Sequence, residues 1–263
     1  MSVCCLQAVA ARSCRLLPLV AKLPNRGICY THSEYRGYLG KIGSERPVSL
    51  FKSSKKFLLY MLRKVVSYFD RLFVSNILYW EKRASRYGVR SALNIGHTDN
   101  ELESVLALQE EAIFPHLKHS LNGDENTILD FGCGPGRFTK QLADMIDGNA
   151  VGVDPIETLL KLAPNAPNVK YLKMEEGHIP LDDSSIDLVW VCLVLGGITD
   201  GKTLLRSVCE IRRVLKNGGL LFMVENTTEK KSILRRVFRS VEEYKQLFPF
   251  ANLKLLAIYH DLD

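Results

Sequence analysis

The residues with the clearest chemical potential are Leu129-Asp130-Phe131-Gly132-Cys133-Gly134-Pro135-Gly136, a short apolar run that ends in an acid and opens into three alternating glycines. Ile128 and Leu129 suit a buried parallel strand, and Asp130 stands where the backbone leaves the sheet. Gly132, Gly134 and Gly136 permit positive φ and put no Cβ between the main chain and a ligand. Phe138, Leu142, Met145 and Ile146 then recur at helical spacing, so the stretch reads as strand, turn and helix. In an open α/β sheet that turn is where a nucleotide-like ligand lies. The spacing is G-x-G-x-G rather than the dinucleotide G-x-G-x-x-G. A carboxylate at Asp130 would repel a pyrophosphate and would suit an ammonium group.

Elements that could position this turn follow at regular intervals. Strands are expected at Ala150 to Val153, ending in Asp154, then at Val169 to Lys173, Ile186 to Val191 and Gly219 to Val224. Helices are expected at Asp99 to His119, Glu157 to Leu162, Lys202 to Leu215 and Ser240 to Phe248, and a sixth strand at Leu253 to Tyr259. This alternation predicts a doubly wound, mostly parallel α/β sheet with right-handed crossovers.

The motif Leu129 to Gly136 resembles the first motif of class I S-adenosylmethionine-dependent methyltransferases. Three further stretches resemble later motifs of that family: Met174 to Leu181, Ile186 to Trp190, and Leu215-Lys216-Asn217-Gly218-Gly219. With Asp154, 24 residues beyond Asp130, these make four positions expected at the carboxyl ends of the strands. The resemblance implies a Rossmann-like domain that binds S-adenosylmethionine and transfers its methyl group to a small-molecule or protein acceptor. It assigns cofactor contacts to Asp130, Gly132, Cys133, Gly134, Gly136, Asp154, Glu175, Glu176 and Cys192. Glu175-Glu176 replaces the family's Asp-Ala, and Asn217 replaces its proline.

The loop Cys192 to Asp200 should face the methyl group, and it lacks the histidine that many relatives carry there. Asp200 and Glu225 are the polar candidates for catalysis, each of which could instead cap an element. A non-catalytic binding or assembly protein of the same fold is the alternative reading. The family's antiparallel seventh strand has no residues left to form it after Tyr259, so the slot between strands five and six stays open unless another segment substitutes. His97 and His178 read as surface residues or as residues standing behind the site's lining.

Charge divides the chain. Residues 1–80 carry 13 Lys and Arg against 3 Asp and Glu, which leaves 22 against 26 in residues 81–263. The net charge of +6 therefore belongs to the N-terminal third, and the domain itself lacks the basic surface that nucleic-acid binding needs. Residues 1–33 contain Arg12, Arg15, Lys22 and Arg26 and no acid, the composition of a mitochondrial transit peptide cut between Cys29 and Glu34. A cytoplasmic protein with a plain N-terminal extension is the alternative. Residues 34–50 read as a linker, and residues 51–80 as a basic amphipathic helix. Lys56, Arg63, Lys64 and Arg71 fall on one side of that helix. It could rest on an anionic membrane surface, dock a protein partner or pack on residues 81–263, the methyltransferase-like domain.

Four of the seven cysteines, Cys4, Cys5, Cys14 and Cys29, fall within residues 1–33. Cys133, Cys192 and Cys209 form no C-x-x-C, so neither a zinc site nor a disulfide framework is expected.

Overall fold

Apolar runs too short for helices but rich in Val, Ile and Leu build the centre of the molecule, a sheet whose strands alternate their side chains between two helical layers. In the computed structural model, residues 15–22, 75–92, 99–175, 177–227, 232, 233 and 235–260 are described. The sheet contains β1 (Arg15–Lys22), β2 (Thr127–Phe131), β3 (Asn149–Asp154), β4 (Val169–Lys173), β5 (Ile186–Cys192), β6 (Leu215–Thr227), β9 (Lys254–Leu255) and β10 (Tyr259–His260). A separate hairpin pairs β7 (Ser232–Ile233) with β8 (Arg236–Val237).

The helices are α1 (Asn76–Tyr87), α2 (Asp99–Ser120), α3 (Thr139–Met145), α4 (Glu157–Leu160), α5 (Gly201–Val214) and α6 (Val241–Leu247). Among the described residues, no helix is long and apolar enough to cross a membrane.

The spatial order is β10-β1-β6-β5-β2-β3-β4, with β9 also paired to β1. β4, β3, β2, β5 and β6 run parallel to one another. β1 runs antiparallel to β6 on one side and to β9 and β10 on the other. The slot between the fifth and sixth strands is thus filled from Arg15–Lys22, inside the stretch that reads as a presequence.

Period-two alternation decides the two cores, apart from a register shift between Ile186 and Leu188 that turns Ile186 to the second face. Leu188, Trp190 and Cys192 of β5 and Leu220, Phe222 and Val224 of β6 join Ile113, Leu117, Phe138 and Leu142 on one face. Ile186, Val189 and Val191, with Leu221 and Met223, meet Leu204, Val208 and Ile211 of α5 and Tyr244 and Leu247 of α6 on the other. Trp190 and Phe222 are register partners, and their rings stack 5.3 Å apart. Both helices that cover the second face begin on a side-chain cap: Asp200 for α5, and a Ser240–Glu243 capping box for α6.

Three expectations need correction. The sixth strand is not continuous from Leu253 to Tyr259, because only two short pieces contact β1. The helix from Glu157 spans a single turn. The basic helix placed over residues 51–80 does not run through to Trp80: Ser75 takes an extended ψ of 154° and caps α1 by accepting from the Leu78 N–H, so Asn76 to Trp80 belong to a new helix. Residues 51–74 lie outside the described residues, as do His97, Glu176 and the 34–50 linker.

The motif around Ile186 and the Leu215 turn also sits at the opposite end of the sheet from the glycines. Asp187 is the second residue of β5, beside the first residue of β2, so it fastens the amino ends of the strands. Its carboxylate accepts from the Asn126 and Thr127 N–H groups at 3.1 and 3.0 Å and from the Thr127 hydroxyl at 2.7 Å, and Lys216 pairs with it at 2.7 Å. These contacts hold its pKa below the ordinary carboxylate value despite partial burial. Asp187→Ala should therefore cost about 1–3 kcal/mol of unfolding free energy by leaving these donors unmatched, with no change in affinity for a ligand at the glycine turn. Urea unfolding beside a binding titration measures both.

Candidate functional site

At the carboxyl ends of β2, β3 and β5 the chain encloses a cavity of about 780 Å³. Its floor is the glycine turn. The Gly132 and Cys133 N–H groups both donate to the Val153 carbonyl, at 2.8 and 3.1 Å, which ties the turn to the neighbouring strand. Gly136 sits at φ +73°, and a Cβ there would collide with the Tyr171 hydroxyl. Gly136 is therefore glycine because a tyrosine packs against it, and it does not line the cavity. Gly134 differs: with φ +56° a Cβ would meet only ordinary contacts, so its backbone conformation is what demands glycine.

Two buried acids meet this turn. Asp130, 4% exposed, ends up on the Ile128 side of β2 and accepts the Thr139 hydroxyl at 2.7 Å. Burial pushes its pKa up to about 7, opposed by Thr139 and by the positive charge of Arg137. Asp154, 6% exposed, accepts from the Gly134 N–H at 2.9 Å through one oxygen and from the Ile156 N–H at 2.8 Å through the other. Burial raises its pKa to about 6, and these N–H bonds restrain the rise. Each Asp154 oxygen keeps a second lone-pair direction for another donor. A cavity that holds two such carboxylates favours a ligand that brings hydroxyl donors and a cationic group.

The wall opposite is the segment after β5. Leu193 takes φ +62°, a strained conformation for a leucine. The next residues are held by Glu225, only 1% exposed, which accepts the Val194, Leu195 and Gly196 N–H groups at 2.8, 2.7 and 3.4 Å. Tyr244 donates its hydroxyl to the same carboxylate at 3.4 Å, and Arg239 donates to the Leu195 carbonyl at 3.0 Å. Burial raises the Glu225 pKa while the backbone donors oppose it. Glu225 does not line the cavity; it shapes the wall.

Asp200 does reach the cavity, but its carboxylate accepts from the Thr203 N–H and hydroxyl at 2.7 and 2.8 Å as the cap of α5. These donors keep its pKa below the usual value. Glu225 thus stands outside the lining, and Asp200 is engaged as a helix cap.

A roof comes from α1. Ala84, Ile77 and Trp80 pack on Ile156 and Leu159. Glu81 accepts the Glu157 N–H at one end of the roof, and Asn76 donates to the Gly197 carbonyl at the other. The Arg235 guanidinium lies 4.4 Å from the Tyr79 ring centroid, and Arg235 joins the lining with Arg236.

Of the sequence-assigned contacts, Asp130, Gly132, Cys133, Gly134, Asp154 and Cys192 line the cavity. Glu175 is exposed and does not; Met174, buried beside it, does. Exposed His178 instead meets Glu210 at 3.0 Å on the surface. Trp190, which ends the Ile186–Trp190 motif, and Trp80, in a stretch to Tyr87 that resembles the family's helix over the cofactor, also line the cavity; Ile156 and Arg235 line it too and were not singled out by motif. Ile156 had a usable signal, lying two residues beyond Asp154. Among the described residues, no group of His, Cys, Asp or Glu could hold a metal ion.

Residues 129–223 match the family model described as a methyltransferase domain. The chain is 28% identical over 120 residues to the ubiquinone/menaquinone biosynthesis C-methyltransferase UbiE of Shewanella frigidimarina, covering 42% of this chain and 47% of that protein. It is 33% identical over 135 residues to the demethylmenaquinone methyltransferase of Lactobacillus johnsonii, covering 48% and 53%. The chain thus spans about half the length of these relatives. Among solved structures it is similar to an S-adenosylmethionine-dependent methyltransferase from Aquifex aeolicus, at 24% identity and a TM-score of 0.41, covering 47% of this chain and 70% of that one.

The raised Asp130 pKa has a stability consequence of definite sign. The folded state holds the proton more tightly than an unfolded aspartate near pH 4, so the stabilisation present below pH 4 is lost as pH rises to about 7. Asp130→Asn should remove that slope, becoming more stable than the parent as pH climbs from 4 to 7. Chemical unfolding at three pH values would show it, and a constant offset between the two proteins would assign the buried proton elsewhere.

Proposed function

We propose that this chain, whose residues 129–223 carry a methyltransferase domain, binds S-adenosylmethionine in the cavity and transfers its methyl group to an acceptor held against the Leu193–Asp200 wall. The observation that carries the reading is the pair of buried acids, Asp130 and Asp154, meeting one glycine turn from adjacent strands. When bound, the cofactor supplies an electrophilic methyl group on a sulfonium centre. Asp130 would receive the ammonium of the methionine part, and Asp154 the ribose hydroxyls through its remaining lone pairs. Ile156, Leu159 and Trp80 supply an apolar cleft for the adenine ring, with α1 excluding water from above.

Positioning carries most of the catalysis in this reading, since displacement at a methyl group needs alignment of the nucleophile before it needs a base. Glu225 contributes by fixing the backbone of residues 194–196, and Asp200 by fixing the start of α5. Ile77, Ile198 and Val194 make the acceptor side largely apolar, which suits a compact ring compound. The relatives named for ubiquinone, menaquinone and demethylmenaquinone methylation support that class of acceptor. A non-catalytic binding role would share the cofactor site but yield no S-adenosylhomocysteine.

A mitochondrial location and peripheral attachment through residues 51–80 belong to the same proposal. They rest on the acid-free N-terminus and on the cluster Lys56, Arg63, Lys64 and Arg71. A fluorescent fusion of residues 1–40 should reach mitochondria, and reversing those four charges should abolish sedimentation with anionic vesicles. Diffuse fluorescence, or sedimentation indifferent to the charges, would remove each part.

The cofactor reading is tested by thermal unfolding of the full chain with S-adenosylmethionine, S-adenosylhomocysteine or NAD. At 100 times the dissociation constant the first two should each add about 2.7 kcal/mol, a rise of several degrees, and NAD none. Asp154→Ala should weaken cofactor binding by about 1.5–3 kcal/mol through lost charge-assisted hydrogen bonds. A shift with NAD alone, or none with any ligand, would overturn the assignment.

A further inference from the structure

Arg15–Lys22 is an interior strand. Eight consecutive residues pair with β6, from Arg15 opposite Thr227 to Lys22 opposite Leu220. The other edge takes β9 at Leu19 and Val20 and β10 at Arg15 and Leu16. The local sequence agrees with that place. Leu16, Leu17, Leu19 and Val20 form an apolar run of the kind an interior strand carries in sequence. Pro18, which has no N–H to give, falls in the gap between the β10 and β9 pairs, where the outer ladder is interrupted.

We propose that residues 15–22 are retained in the working protein as the strand that closes the sheet, and that any N-terminal processing stops short of Arg15. Cleavage between Cys29 and Glu34, where the composition suggests it, would remove this strand. It would strip eight residues of β6 of their antiparallel partners and leave β9 and β10 without the strand they pair with. The consequence reaches the cavity. Leu17 pairs with Glu225, whose carboxylate holds the Val194, Leu195 and Gly196 N–H groups, so the N-terminal strand and the cavity wall flank one stretch of β6. A targeting role for residues 1–33 is compatible with this only as a signal that remains attached, or as one cut before the strand begins.

The test compares the full chain with chains that start at Ser13 and at Leu23, by hydrogen exchange over residues 220–226 and by thermal unfolding. These readouts are independent of methyl transfer and of cofactor binding. The full chain and the Ser13 chain should protect residues 220–226 equally. The Leu23 chain should exchange there at least about tenfold faster, the factor expected when roughly 1.4 kcal/mol of local stability is lost, and should melt several degrees lower. A synthetic peptide of residues 13–24 should restore both properties, and a peptide of the same composition in scrambled order should restore neither.

Should the Leu23 chain fail to fold, Val20→Pro in the full chain interrupts the strand where it has partners on both sides, and should lower the melting temperature. Equal exchange of residues 220–226 with and without the strand would overturn the proposal. So would an unchanged melting temperature in Val20→Pro, or protein isolated from cells that begins after Lys22 and melts with the full chain.

Discussion

A single buried carboxylate organises the wall of the cavity that follows β5. Glu225 collects three consecutive backbone N–H groups and a tyrosine hydroxyl from two distant parts of the chain. Without that acceptor the Val194–Gly196 turn would leave buried donors unmatched, at a cost of about 1–3 kcal/mol for each. The strained Leu193 backbone is tolerated because the residues after it are over-determined in this way. Arg239, buried and bonded to the Leu195 carbonyl, supplies the nearby positive charge that makes an acid in the core tenable.

The cofactor half follows the opposite logic. Asp130 and Asp154 are kept in places that disfavour their charge, and the resulting upward shifts are a store of interaction energy available to a cationic, hydroxyl-bearing ligand. The glycine turn brings them together by geometry more than by openness: Gly134 gives its N–H to Asp154, while Gly136 accommodates Tyr171 behind the wall. Helix α1 completes the arrangement by bridging from α4 to the post-β5 turn, which explains why a segment remote in sequence contributes Asn76 and Trp80 to the lining.

Local signals made the parallel sheet legible. Val169–Lys173 has the predicted bounds, and Thr127–Phe131 and Asp154 fall where apolar runs and a terminal acid put them. The sequence was also sufficient to bring Asp130 and Asp154 to one cavity. It was insufficient where the deciding contact is distant. Nothing near Glu225 announces that its partners lie at residues 194–196, and a capping acid such as Asp200 resembles a catalytic one until its donors are seen. Asp187 misled because a motif gives an order of residues but not which end of a strand they occupy. The strand at Arg15–Lys22 was hidden most deeply: an apolar, basic, acid-free segment has the composition of a presequence, and its register with β6 is visible only in the fold.

The chain has two tryptophans, and both border the cavity: Trp80 in the roof and Trp190 in the floor, the latter stacked on Phe222. Its indole fluorescence therefore arises wholly from the site. Trp190, fully buried, should emit in the blue part of the tryptophan range and respond chiefly to what lies on the glycine turn. Trp80, half-buried beside Arg83, should respond to movement of the roof. Replacing either one by phenylalanine would leave a single native reporter, so occupancy of the cavity and closure over it can be followed as separate optical signals without an added dye.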